Sequence, residues 1–416
     1  MRWSMIACRL AAFLSAMFFI QAIQAGGAET LKAPAEIGSV NMPALRRAVE
    51  DLSASYPDRY GAKGYLTRLE GFERQLPEII KGIAAGRADA TKQAASLLAF
   101  RQEALLANPL LDFEKLLVVK RGLKGPALGL PQNWQGNSCL PRGGYDDEVA
   151  VLSPIRPGGA LTTCFKPAGP RFVGDVELHF DANRMMFSMP DDKGRWQVFE
   201  VGVDSSTGRT DAASLKQVTP GEPADVDNFD ACYLPDGRVI YASTACMQGV
   251  PCVQGSSFVA NLFLLDRPTG GVRQLCFDQD HNWCPTMLPN GRVLFLRWEY
   301  TDLPHAFNRI LFSMNPDGSG QSEYYGSNSY WPNGIFYARP IGGESTKFVG
   351  IVTGHHGVPR MGELVLFDTA RGRHEADGAI QRISQYGKPV EPVLKDGLVD
   401  ASWPKFLHPY PLSGKY

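Results

Sequence analysis

Two segments of this chain are near copies of each other: Leu234-Pro235-Asp236-Gly237-Arg238-Val239-Ile240-Tyr241 and Leu288-Pro289-Asn290-Gly291-Arg292-Val293-Leu294-Phe295. Each sets an Asp-Gly or Asn-Gly turn before an alternating apolar strand, the signature of a hairpin whose turn needs positive φ. Phe180-Asp181-Ala182-Asn183-Arg184-Met185-Met186-Phe187 is a degenerate earlier copy, and Lys347-Phe348-Val349-Gly350 stands where a later one is due. The equivalent positions 184, 238, 292 and 347 are 54, 54 and 55 residues apart. Repetition at a fixed period demands a modular architecture in which each unit is one supersecondary motif.

A second hairpin follows each of these, carried by Trp196 to Val201, Asn261 to Asp266, Arg309 to Met314 and Glu363 to Asp368, with a further strand such as Val272 to Leu275. Four antiparallel strands in about 45 to 55 residues make one propeller blade. The predicted fold is therefore mainly β: a β-propeller of four-stranded antiparallel blades over residues 147–416, with 43 glycines and 30 prolines supplying its turns. Glu148 to Leu152 and Ala160 to Cys164 resemble the third and fourth strands of a closing blade, and Trp403 to Pro411 a first strand. No second strand is evident, so the propeller is expected to be incomplete at its C-terminal end, as in a truncated protein.

The front of the chain has a different periodicity. Residues 41–121 are predicted helical: Asn41 caps a first helix with Leu45, Val49 and Leu52 on one face. Leu66, Leu69, Phe72, Leu76, Ile80 and Ile83 form a second stripe interrupted by Pro77, and Leu97, Phe100, Ala104 and Leu105 a third. Residues 122–146, rich in Gly, Pro and Asn, read as a linker or surface loop. Arg2 and Arg9, the apolar run Leu10 to Ile20 and the small residues Ala25 to Ala28 read as an export signal over residues 1–28. That run is short of the roughly 20 residues a spanning helix needs, so cleavage and a periplasmic or secreted location are expected, with no membrane span thereafter. With 42 basic and 43 acidic residues there is no field to favour nucleic acid.

After signal removal seven cysteines remain, and an oxidising compartment allows disulfides; Cys246/Cys252 and Cys276/Cys284 are the local candidates. The first strand of each blade lines the channel, and aligning those strands places Asp230, Cys284, Trp331 and Trp403 at equivalent positions. Trp283, Tyr330, Trp331 and Trp403, with Asp230, are the candidate ligand platform; as plain blade packing they need no ligand. Cys232, Asp280, His281, Cys284 and His355 are the candidate metal ligands, a thiolate and imidazole set that suits zinc; a disulfide and loop hydrogen bonds would explain the same cluster. Gly-rich phosphate loops, GxSxG and HExxH are absent, as is the Cys-x-x-Cys-His signal for c-type haem. No self-contained catalytic motif is present.

Around Asp227 to Arg238, Asp280-His281-Asn282-Trp283-Cys284-Pro285 and Thr353-Gly354-His355-His356-Gly357-Val358-Pro359-Arg360, the chain resembles the hydrazine synthase alpha-subunit-like proteins from about Pro131 onward. The Leu-Pro-Asp-Gly-Arg motif on its own is shared with TolB-like propellers. The resemblance implies an exported propeller associated with haem-bearing domains that act on nitrogen compounds, but the haem attachment motif is missing from this chain. The expectation is a binding or scaffold module for a protein partner or a downstream haem domain, with a bound metal such as zinc. The alternatives are a subunit of a haem-dependent oxidoreductase acting on small nitrogen compounds, and a TolB-like peptide- or glycan-binding propeller.

Overall fold

A computed structural model describes residues 36–38, 40–299, 309–326, 329–354, 358–383, 390, 393 and 395–414. The chain divides into two compact units, one of residues 1–116 with 152–161, the other of residues 117–151 with 162–416. The export signal and His355 lie outside the described residues. No helix among the described residues is long and apolar enough to cross a membrane.

The first unit holds three helices, α1 (Met42–Ser55), α2 (Ala62–Ala84) and α3 (Ala88–Leu106). The Asn41 side chain accepts from Ala44 N at 3.0 Å, capping α1 as expected, and Leu45, Val49 and Leu52 are buried on one face. Pro77 is accommodated inside α2. The Phe72 and Phe100 rings meet at 5.2 Å, and Arg68 pairs with Glu103 through two hydrogen bonds of 2.7 and 2.8 Å.

The second unit is a five-bladed propeller. Its four-stranded blades are antiparallel meanders: β4 (Gly174–Leu178) to β7 (Arg209–Gln217), β8 (Asn228–Tyr233) to β11 (Gly271–Gln274), β12 (Asn282–Met287) to β15 (Ser322–Tyr325), and β16 (Ile335–Pro340) to β19 (Ala379–Arg382). The repeated hairpins join the first two strands of each blade. Gly237 and Gly291, with φ of 87° and 81°, complete Pro-Asp-Gly and Pro-Asn-Gly turns closed by Leu234 N to Arg238 O and Leu288 N to Arg292 O. Only the glycine takes positive φ, which makes these three-residue hairpin loops ending in a left-handed residue.

The fifth sheet is β1 (Leu116–Lys120), β2 (Glu148–Ser153) and β3 (Ala160–Phe165), in that order. β2 and β3 are the outer pair expected, whereas β1 supplies the strand that had no evident counterpart. It also shortens the helical region, because the apolar run Leu116 to Val119 is β-branched at its end and pairs with β2 instead of continuing a helix. Apolar clusters fill the gaps between sheets: Val149, Val151 and Phe165 against Val173, Met185 and Phe187, then Met186 and Val198 against Tyr233, Tyr241 and Phe263. Each such buried side chain contributes about 1.5–3 kcal/mol relative to exposure.

Candidate functional site

Each first strand carries the same defect. Pairing slips by one residue between Gly174 and Glu177, Phe229 and Cys232, Trp283 and Thr286, and Phe336 and Arg339. The residue that follows the last regular pair is Asp175, Asp230, Cys284 or Tyr337, and all four are left-handed, with φ of 49°, 54°, 50° and 52°. His408, with φ 44°, joins them from the C-terminal stretch, where Phe406 pairs with Gly362. Of the eleven non-glycine residues with positive φ among the described residues, these five line one small cavity of about 40 Å³. A β-bulge re-aims one side chain, and here it aims one from each of the four four-stranded blades into the channel, with His408 beside them. Left-handed backbone costs a non-glycine residue about 1 kcal/mol or more, so these five residues concentrate backbone strain at one place.

The ring's contacts are specific. Asp175 accepts from Asn137 Nδ2 at 2.6 Å, Asp230 accepts from Cys284 N at 2.8 Å, and the Tyr337 and His408 rings lie 4.1 Å apart. One step deeper, Arg339 donates to Glu177 at 2.9 Å and to Thr286 at 2.8 Å. Burial, reinforced by the neighbouring Asp175 charge and opposed by Arg360, raises the Asp230 carboxyl to about 7. Burial and the Asp230 charge push the Cys284 thiol well up; burial and Glu177 do the same to Cys232. Both are therefore neutral thiols at pH 7, poor nucleophiles as they stand.

Residues 130–140, read from composition as a linker, are a strap tied to three blades. Asn133 N donates to Val358 O at 2.9 Å, Arg360 N to Pro131 O at 3.2 Å, Asn137 to Asp175 in the ring, and Cys139 Sγ meets Ser257 Oγ at 2.9 Å. The Arg360 guanidinium donates to Gln135 O.

The structure brings Asp230 and Cys284 together in the ring and sets Cys232 two residues beyond Asp230 in the same strand. Asp280 and His281 are buried at the entry to β12 and do not line the cavity. His281 Nδ1 accepts from Ala260 N at 3.0 Å, which leaves the proton of the neutral ring on Nε2 and neither nitrogen free for a metal. Among the described residues no three of His, Cys, Asp and Glu are grouped to hold a metal ion, so the described part of the proposed zinc set does not fit the ion. The seven described cysteines are free thiols. Cys246 Sγ is turned to Val259 O at 3.3 Å and Cys284 is drawn into the channel, which separates the expected pairs.

The aromatic platform is also corrected. Trp283 and Trp331 are buried, 0% and 2% exposed, and serve as packing. Trp331 and Trp403 lie six and five residues upstream of the true ring positions, Tyr337 and His408; Tyr330 and Trp331 are instead fastened by their backbone N–H groups to Glu375 at 2.8 and 3.0 Å. Tyr330 and Trp403 are exposed but do not line the cavity. Asp175, Tyr337 and His408 were missed. Phe229-Asp230, Trp283-Cys284 and Phe336-Tyr337 share an aromatic residue just before the bulge, a signal that points to the third pair.

No protein-family model matches the chain, and no curated protein matches it in sequence. Solved structures do resemble it. Hydrazine synthase of Kuenenia stuttgartiensis is 16% identical over 61% of this chain and 37% of its own, with a TM-score of 0.46. A putative TolB of Agrobacterium tumefaciens is 16% identical over 58% and 78%, with a TM-score of 0.39. The oligogalacturonate lyase of Vibrio parahaemolyticus is 11% identical over 61% and 70%, with a TM-score of 0.34. This chain therefore spans little more than a third of the hydrazine synthase chain it matches, and at these identities the likeness concerns the propeller fold alone.

Proposed function

We propose that this chain is an exported binding module whose channel ring, Asp175, Asp230, Cys284, Tyr337 and His408, receives a group presented by a partner protein or redox domain. The observation that carries the proposal is the repetition of one strained bulge in four blades, each presenting an ionisable side chain, and a fifth left-handed residue beside them. Strain of this kind is retained where geometry serves a ligand. The sequence resemblance around Cys232 and Cys284 supports a redox partner. A glycan platform is less well supported, since Trp283 and Trp331 are buried.

The test is Cys284→Gly, which removes the side chain and relieves the left-handed strain. The partner to use is the polypeptide of an adjacent reading frame that carries Cys-x-x-Cys-His motifs. A variant at least as heat-stable as the parent that binds this partner at least tenfold more weakly supports the assignment. Equal binding by both proteins, or by neither, overturns it.

A further inference from the structure

Beside the channel runs a column of stacked, fully buried side chains. Arg309 Cζ lies 4.5 Å above the Trp298 ring, Trp298 and His281 stack at 6.2 Å and 10°, His281 and Trp283 at 4.4 Å and 17°, and Arg360 Cζ sits 5.0 Å over Trp283. None of the five is more than 1% exposed. Cation and ring attract each other at these distances, which explains the stacking but not the edges of the column. His281 Nε2, Trp283 Nε1 and Arg360 Nε are buried with no hydrogen-bond partner.

All three are donors. The Ala260 N–H engages His281 Nδ1, so Nε2 carries the proton; the indole and guanidinium nitrogens have no acceptor role. Leaving a buried donor unmade costs about 1–3 kcal/mol, and three such donors sit on successive members of one stack. After burial itself, the two guanidiniums hold His281 in its neutral form, while burial raises the neighbouring Asp280 carboxyl to about 6 against the pull of Arg309. The Asp280 carboxylate faces Arg309 and accepts from none of the three.

We propose that the edge of this stack binds a small monovalent oxyanion of formate or nitrate size, held by His281 Nε2, Trp283 Nε1 and Arg360 Nε. Charge-assisted hydrogen bonds from three donors suit a planar anion with several acceptor lone pairs. The site is separate from the channel ring, and its occupant needs no metal.

The test is titration of the full chain with sodium formate at constant ionic strength, read by tryptophan fluorescence and by melting temperature. Wild type should give a saturable change, and Trp283→Phe, which deletes one donor and keeps the ring, should weaken it tenfold or more. Arg360→Lys, which keeps the charge and loses Nε–H, should also weaken it. A wild-type response that does not saturate by ~100 mM, or a Trp283→Phe titration matching wild type, overturns the site. Should neither variant fold, the wild-type titration alone decides.

Discussion

At the scale of single residues, Asp230 is the most informative side chain. Its folded pKa is raised above the ordinary carboxylate value, so the native state holds a proton that the unfolded chain has released. The stabilising contribution is fully present below about pH 4 and is lost as pH rises towards 7. Replacing Asp230 with Asn removes this dependence. Melting curves of Asp230→Asn and wild type should coincide below about pH 3.5 and diverge in the variant's favour by on the order of 1–2 kcal/mol at pH 8, a figure reduced because the channel wall leaves Asp230 partly exposed. A difference independent of pH would show that burial and the Asp175 charge do not raise the Asp230 carboxyl. Asp230 and Cys284 were legible as channel residues because each stands eight positions before the repeated Arg and directly follows an aromatic residue. Tyr337 was not, since the longer turn at Ile341 to Thr346 shifts the count by two and the Tyr330-Trp331 doublet draws the alignment upstream. Asp175 has no aromatic neighbour, and a non-glycine residue in left-handed backbone leaves no mark in composition.

At the scale of elements, the blades were legible and their closure was not. Period and turn chemistry specify a hairpin locally, which is why the strands after Gly237 and Gly291 fall where the repeat places them. β1 and the strap depend on partners far away in sequence: β1 pairs with β2 about thirty residues on, and the strap with Val358 and Arg360. A Gly- and Pro-rich stretch reads as a linker whether it is free or fastened. The strap makes a specific prediction through Gly136, where an added Cβ would come within 2.8 Å of the Phe229 ring. Gly136→Ala should cost about 1–3 kcal/mol and hasten proteolytic cleavage within residues 130–140. Gly143→Ala, which meets nothing within 4 Å, should leave both unchanged. Equal cleavage of the two variants would mean that the strap is not packed against β8.

At the scale of the whole molecule, cohesion among the described residues comes from apolar clusters between sheets and from buried ion pairs such as Glu200 with Arg267, with no disulfide among the described cysteines. Thiol titration of the denatured protein should therefore give the same count with and without prior reduction. In the native protein the fast phase should belong to Cys252, which alone among the described cysteines is classed as exposed, and Cys252→Ser should abolish it. A gain of titratable thiol on reduction would instead reveal a bridge and overturn this account. Proximity in sequence made Cys276 and Cys284 look like partners, yet they belong to different blades: Cys276 is buried just after the outer strand β11, and Cys284 lines the channel cavity. Disulfide pairing is set by Cβ geometry, which spacing does not record.

The shared bend of the four inner strands carries one more consequence. Every blade delivers its channel side chain from the same backbone posture, while the sheets are held by residues elsewhere. The ring thus works as a set of sockets whose lettering can be changed one position at a time. Descendants of such a chain can acquire a new chemistry at the axis without rebuilding a blade, and the architecture can outlast any particular use to which it is put.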